Sequence, residues 1–174
     1  IVVIPYKWPQ TRILEGCAPP GFHRGVSRIR KKGPTMIKDL VNDEAILSQP
    51  CAAATAEDAP LAQDLLDTLA SLEDAVCLAA NQIGVAKAVV AYVDDNEQPH
   101  VMYNPTILIG LVPKKETESC FTHEEPTVNT RYEKVKVSYQ ELVDGKLVSR
   151  KKDFHGWVAQ LIQHMADHSK GKLV

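Results

Sequence analysis

The sequence predicts an α+β fold in which mostly antiparallel strands lie between two helices. Two observations support this prediction. Apolar residues recur at spacings of three and four in residues 61–72 and again after Gly156, as on one face of a helix. Between these segments, short runs rich in valine and isoleucine alternate with turn-forming residues, as in strands joined by hairpins.

The first helix is predicted from about Asp58 to Leu72, because its leucines share one face. The opposite face should meet water and carries Gln63, Asp64, Asp67 and Ser71. The apolar run that begins at Val76 should then end in a turn at Asn81-Gln82-Ile83-Gly84.

Separate short strands are expected at residues 88–93, 100–103, 106–111, 118–122, 134–139 and 146–154. Asp144-Gly145 predicts a hairpin turn between the last two strands. The second helix should run from Gly156 to about Ser169, and Gly171 marks its end.

Length and charge favour one globular domain of ordinary composition. The chain has 174 residues, of which 44% are hydrophobic and 24% charged, and its formal net charge is −2. This balance argues against direct nucleic-acid recognition. No apolar run approaches the roughly 20 residues of a membrane helix, so no membrane partner is expected.

The first 35 residues differ from the rest. Residues 1–35 hold seven basic residues and one acidic residue, together with five of the 11 prolines and four of the nine glycines, whereas residues 36–174 hold 13 basic and 21 acidic residues. We therefore interpret residues 1–35 as a poorly ordered basic arm and residues 36–174 as the domain. Organelle import and contact with RNA are alternative uses of the arm. Because it lacks the apolar core of a secretory signal, a cytoplasmic location is expected.

Possible metal ligands lie on the second helix. His164 and His168 are four residues apart, so both imidazoles project from one helical face and can reach a single ion. This spacing alone is a weak signal, because histidine pairs also occur on solvated helices. Cys120 is the best candidate for a third ligand, since a thiolate and two imidazoles leave a fourth tetrahedral position open.

A polar amide ends the earlier run of small residues Leu78-Ala79-Ala80-Asn81-Gln82. Gln82 could donate a hydrogen bond to a developing oxyanion. Alternatively, its amide satisfies nearby backbone groups.

Three segments together resemble the motifs of the peptide deformylase family, in the same order. The family patterns are G-x-G-[small apolar/Leu]-A-A-x-Q, E-G-C-[apolar]-[ST] and Q-H-E-x-D-H. The chain has Ala75-Val76-Cys77-Leu78-Ala79-Ala80-Asn81-Gln82, then Glu118-Ser119-Cys120-Phe121-Thr122, then Gln163-His164-Met165-Ala166-Asp167-His168. The resemblance covers roughly residues 36–174 and implies antiparallel strands packed around a central metal-bearing helix.

The resemblance assigns roles to individual residues. Cys120, His164 and His168 would bind one divalent metal ion, Fe(II) in many members, with Zn or Ni as substitutes. Gln82 and the backbone N–H of Phe121 would hold the formyl oxygen. The substrate would be the N-formylmethionyl end of a nascent peptide, met near the ribosome.

The methionyl side chain of that substrate would enter an apolar pocket. By position, its lining would be Val76, Cys77, Trp157 and Leu161. Alternatively, these four side chains belong to the ordinary core.

The sequence departs from the family at the residue that follows the first histidine. The family has Glu there, which takes a proton from the attacking water and passes it to the leaving amine, whereas this chain has Met165. A thioether cannot carry a proton, and loss of a positioned general acid–base costs about 10²–10⁴-fold in rate. Asp167 lies two residues further on and points to the other side of the helix.

Two smaller departures place Cys77 and Ser119 where the family has glycine. Two functions therefore remain open. One is a metal-dependent deformylase that is slow because of Met165 or that uses another residue as its base. The other is a catalytically inactive relative that still binds metal and peptide.

Overall fold

The computed structural model of the chain describes residues 36–72, 75–120 and 123–174. The predictions made for residues 1–35, for Phe121 and for the end of the strand at residues 118–122 lie outside these residues. None of the helices in the described residues has the length and apolar character needed to cross a bilayer.

Both predicted helices are present. Helix α1 is a single turn, Glu44–Leu47, that the sequence did not indicate. Helix α2 is Ala59–Ser71 and helix α3 is Gly156–Ser169, as predicted. The prediction that Asp67 faces water is wrong. Asp67 is only 8% exposed, and its carboxylate accepts a hydrogen bond from Nε2 of Gln63.

The strands form one five-stranded antiparallel sheet in the order β1-β2-β3-β4-β5. Their bounds are Cys77–Ala79, Val89–Val93, Pro99–Cys120, His123–Val143 and Lys146–His155. A 3₁₀ turn, Ala80–Ile83, follows β1 at the position of the predicted turn.

The prediction of separate strands between residues 100 and 120 is wrong, because one long strand, β3, covers these residues. Its register against β4 shifts between Tyr103 and Thr106 and again between Ile107 and Ile109. The polar residues that suggested strand ends lie at bulges in the strand. One of these bulges is beside Asn104, which has a φ of 54°. Pairing with β4 therefore continues through them.

Two predicted chain reversals are confirmed. Asp144 and Gly145 have φ values of 49° and 78°, as a two-residue type I′ hairpin requires. Gly171 has φ 72° just after α3, and a Cβ there would lie 2.3 Å from the carbonyl oxygen of Ser48. Glycine is needed at residue 171 both for its backbone conformation and for this close approach.

Helix α3 packs against the sheet and is covered on nearly all sides. One of its faces joins a core cluster with all five strands, which includes Val90, Met102, Val137, Phe154 and Met165. A second cluster lies under α2 and includes Leu65, Leu78 and Tyr103. Because α3 is buried almost all round, even its polar side chains, His164 and His168, are 0% exposed.

Candidate metal centre

Three predicted ligands meet in the interior. Cys120 ends β3, and His164 and His168 lie one turn apart on α3. Possible ligand atoms of these three buried residues all lie within 4.8 Å of one another. In the described residues, this is the one group of three or more side chains suited to hold a metal ion.

The separations fit a tetrahedral centre. Nε2 of His168 lies 3.0 Å from Nε2 of His164 and 3.4 Å from Sγ of Cys120. Ligand atoms around a tetrahedral zinc-like ion lie roughly 3.4 Å apart. The three atoms are thus spaced as ligands of one ion.

Glu118 fixes the orientation of His164. Its Oε2 lies 3.2 Å from Nδ1 of His164, and both side chains are fully buried. A carboxylate only accepts hydrogen bonds, so Nδ1 carries the proton and Nε2 presents a lone pair to the centre. Burial would raise the pKa of Glu118, but hydrogen bonds from His164 and Arg131 outweigh it and lower this pKa to about 2.

A buried arginine compensates the charge of Glu118. Arg131 on β4 donates to Glu118 from Nε at 2.9 and 3.1 Å and from Nη2 at 2.6 Å. Its Nη1 donates to Asp167 at 2.7 Å, and Asp167 also contacts Lys172 at 3.1 Å. This network ties β3 and β4 to the helix that carries both histidines.

Cys120 is prepared to act as a thiolate. Burial opposes its ionisation, but the neighbouring imidazoles of His164 and His168 outweigh burial and lower the pKa of Cys120 to about 3. The thiolate is the form that binds metal. Gln82 approaches the same sulfur, with its Nε2 3.5 Å from Sγ, while its Oε1 accepts a hydrogen bond from the backbone N–H of Ala79.

The ring of His168 also favours a bound cation. Burial lowers its pKa despite its contact with Cys120, which favours the neutral form of the ring. Its Nδ1 is buried and has no hydrogen-bond partner among the described residues. With its proton on Nδ1, the ring would present its Nε2 lone pair to a cation shared with His164 and Cys120.

An apolar side chain occupies the position at which the family has its glutamate. Met165 is 0% exposed and packs in the core cluster between α3 and the sheet. Neither nearby carboxylate in the described residues is available to replace it, because Glu118 is bound to Arg131 and His164, and Asp167 is bound to Arg131 and Lys172. The prediction for Phe121 lies outside the described residues.

The four residues predicted to line the substrate pocket lie in or against one apolar cluster. Cys77 and Leu161 are fully buried in the cluster that contains Met165, and Val76 and Trp157 pack partly buried against it. The indole N–H of Trp157 donates to Asp95. The structure therefore places these side chains in one apolar region, and the lining role stays a prediction.

Sequence reasoning missed the groups that surround the ligands. Glu118, Arg131 and Gln160 are 1%, 3% and 5% exposed, and the last two were given no role at the centre. Arg131 could have been noticed in the sequence, because it is a cation at a position that the alternating pattern of its strand predicts to face inwards. Gln160 lies four residues before His164, so it shares the histidine face of the helix.

Known proteins match both the sequence and the fold. Residues 37–174 match the family model described as Polypeptide deformylase. The peptide deformylase of Clostridium beijerinckii is 39% identical over 140 residues, which cover 80% of this chain and all of that protein. Peptide deformylase 2 of Vibrio cholerae is 32% identical over 116 residues, or 65% of this chain and 67% of that protein.

Solved structures of peptide deformylases have a similar fold. The actinonin-bound class I type b peptide deformylase of Acinetobacter baumannii is 26% identical, with a TM-score of 0.68 over 80% of this chain and 96% of that chain. The peptide deformylase of Thermus thermophilus gives a TM-score of 0.69 at 25% identity, over 79% of this chain and 83% of that chain. The predicted α+β deformylase fold is confirmed, and the chain belongs to the peptide deformylase family, whose members are metal-dependent hydrolases that act on N-formylated peptides.

Proposed function

We propose that this chain binds one divalent metal ion and the N-formylmethionyl end of nascent peptides, and that it removes the formyl group slowly because Met165 replaces the general acid–base. The observation that carries the proposal is the buried group of Cys120, His164 and His168, which is complete although the adjacent proton-transfer residue is absent.

The three ligands would hold Fe(II), with Zn or Ni as substitutes, since thiolate and imidazole bind each of these ions. When bound, the ion would polarise the formyl carbonyl and increase the acidity of the attacking water. Glu118 keeps His164 in the tautomer that presents Nε2 to the ion.

Gln82 would bind the formyl oxygen. Its Oε1 is held by the N–H of Ala79, so its Nε2 is directed towards Cys120 and the ligand group. Together with the N–H of Phe121, this amide would stabilise the negative charge that develops on the formyl oxygen.

The peptide itself would lie along the edge of the sheet. Strand β1 is an edge strand, so an extended peptide can add to it through backbone hydrogen bonds. The methionyl side chain would then contact the apolar set of Val76, Cys77, Trp157 and Leu161. Such peptides would be met near the ribosome, in the cytoplasm.

We expect proton transfer to limit the rate of the reaction. The attacking water must lose a proton and the leaving amine must gain one, and the buried thioether of Met165 can do neither. We expect turnover roughly 10²–10⁴-fold below that of a version with a positioned base.

The test is turnover of a formyl-Met-Ala peptide under anaerobic conditions by Fe(II)- or Ni(II)-loaded protein, with metal content measured on the same sample. Met165→Glu should raise kcat by two or more orders of magnitude. Met165→Gln is the matched control, because it has the same shape without the titratable group, and it should leave kcat near the parent value. Cys120→Ser should greatly weaken metal binding.

Three results would contradict the proposal. Parent turnover at rates that Met165→Glu does not improve would mean that another group transfers the proton. Equal gains from Glu and Gln would mean that polarity, not proton transfer, is limiting. Unchanged metal affinity after Cys120→Ser would remove the ligand assignment.

A second candidate function is a catalytically inactive relative that binds metal and peptide. The packing of Met165 into the apolar core favours it, because this face of α3 is completed without any carboxylate. Full metal occupancy and peptide binding, with background turnover in both the parent and Met165→Glu, would support this candidate over the first.

A further inference from the structure

Gln160 is a buried polar residue next to the ligand group that none of the three motifs contains. It lies one helical turn before His164 on α3 and is 5% exposed. Its Nε2 donates a hydrogen bond of 2.9 Å to Oε1 of Glu118. An uncharged amide in this position satisfies the buried carboxylate on the oxygen that does not face His164.

Gln160 and His164 together attach Glu118 to α3 at two points. Gln160 contacts Oε1, and Nδ1 of His164 contacts Oε2 at 3.2 Å. Because the terminal torsion of a glutamate is broad, each partner on its oxygens restricts the plane of the carboxylate. Arg131 also donates to both oxygens, but from β4, so among the described residues Gln160 and His164 are the ones that join the carboxylate to α3.

This attachment also joins the two elements that supply the ligands. Glu118 lies two residues before Cys120 on β3, whereas Gln160 lies on the helix that carries His164 and His168. The Gln160–Glu118 hydrogen bond therefore holds the strand of the thiolate against the helix of the imidazoles.

We propose that Gln160 is a positioning residue of the metal centre, acting through Glu118 to hold His164 and Cys120 at ligand spacing. The inference rests on the metal centre proposed above. Outer partners of metal ligands change affinity by about 10–100-fold when they are lost. Since Gln160 acts through one intervening residue, we expect a loss of about 10-fold.

The test measures the dissociation constant of Co(II) by competition with a chelator, and the visible absorption of the Co(II) protein. Gln160→Met keeps the length of the side chain and removes the donor, so it should weaken binding about 10-fold and alter the absorption bands. Gln163→Met is the matched control: Gln163 is also 5% exposed on α3, but its amide bonds to the backbone of Tyr132 and Ala159. This control should lower thermal stability and change the affinity for Co(II) less than about threefold.

A double-mutant cycle separates positioning from packing. If Gln160 acts through Glu118, Gln160→Met should change the affinity less than about twofold in a Glu118→Gln background. An undiminished effect there would mean that Gln160 acts through general packing, and would overturn the inference. If Gln160→Met does not fold, Gln160→Asn takes its place, because it keeps an amide that is one methylene too short to reach Oε1.

The outcomes distinguish this inference from the proposed function. A parent protein that holds no equivalent of Co(II) overturns the metal centre and the inference with it. A parent that binds one equivalent, with Gln160→Met binding as tightly, overturns the role of Gln160 alone.

Discussion

Replacing Arg131 by Met should destabilise the metal-free protein strongly, because it leaves a buried carboxylate without its cation. The side chains of Arg131 and Glu118 are 4% and 0% exposed, and three hydrogen bonds of 2.6–3.1 Å join them. Methionine occupies a similar volume without charge, so the change removes the compensation of Glu118 rather than the packing.

The expected loss follows from the burial of this pair. Removing one partner of a buried ion pair costs about 3–5 kcal/mol, which is a large part of the roughly 5–15 kcal/mol that stabilises a domain. At roughly 4 °C per kcal/mol for a domain of this size, the melting temperature should fall by about 12–20 °C.

The assay is urea unfolding in the presence of a chelator, for the parent, Arg131→Met and the double variant Glu118→Gln/Arg131→Met. The double variant should be more stable than the single one, because it no longer buries an uncompensated charge. Arg150→Met is the matched control: Arg150 also pairs with a glutamate, Glu141, at 2.9 Å, but both side chains are 40% exposed or more. It should cost less than about 1 kcal/mol.

Two results would refute this reasoning. One is an Arg131→Met variant within about 1 kcal/mol of the parent, which would mean that solvent or another cation compensates Glu118. The other is a double variant as unstable as the single one, which would assign the loss to packing around Arg131.

Two further predictions concern the glycine that ends α3 and the loss of folding stability at acidic pH. Gly171→Ala should lower the free energy of unfolding in urea by more than about 2 kcal/mol, because residue 171 has φ 72° and its Cβ would lie 2.3 Å from the carbonyl oxygen of Ser48. Gly145→Ala is the control: residue 145 has φ 78° but open space around its Cβ, so the loss should be only about 1 kcal/mol. Equal losses would show that the contact with Ser48 adds nothing. The pKa of Glu118 is lowered from its usual 4.5 to about 2 in the folded chain, so its contribution to stability is complete above its usual pKa and is lost as pH falls towards 2. Urea unfolding from about pH 5 to 3 should therefore show a steeper loss in the parent than in Glu118→Gln, and parallel curves would contradict this.

Much of the fold could be predicted because it depends on local patterns. The leucine spacing of α2 and the Asp144-Gly145 turn are properties of a few consecutive residues, and the structure confirms them. The single strand β3 could not be predicted, because its bulges are stabilised by pairing with β4, a partner distant in the sequence.

The candidate ligand set could be predicted from the sequence for a different reason. His164 and His168 share a helical face by their spacing alone, and Cys120 was the best third candidate because a thiolate and two imidazoles suit a tetrahedral ion; the family motif supported the same set. The absence of a proton-transferring side chain at Met165 was also visible in the sequence, because it depends only on which residue stands there.

Only the tertiary structure decided what surrounds these ligands. The hydrogen bonds of Glu118 with Arg131, Gln160 and His164 join residues 13, 42 and 46 positions apart. The sequence by itself determined the residue types, the two helices and the candidate ligands, because those follow from local spacing and identity. The ionised buried glutamate, the tautomer of His164 and the ion pairs of Glu118 and Asp167 with Arg131 depend on burial and on contacts between distant segments, which arise when β3, β4 and α3 pack together.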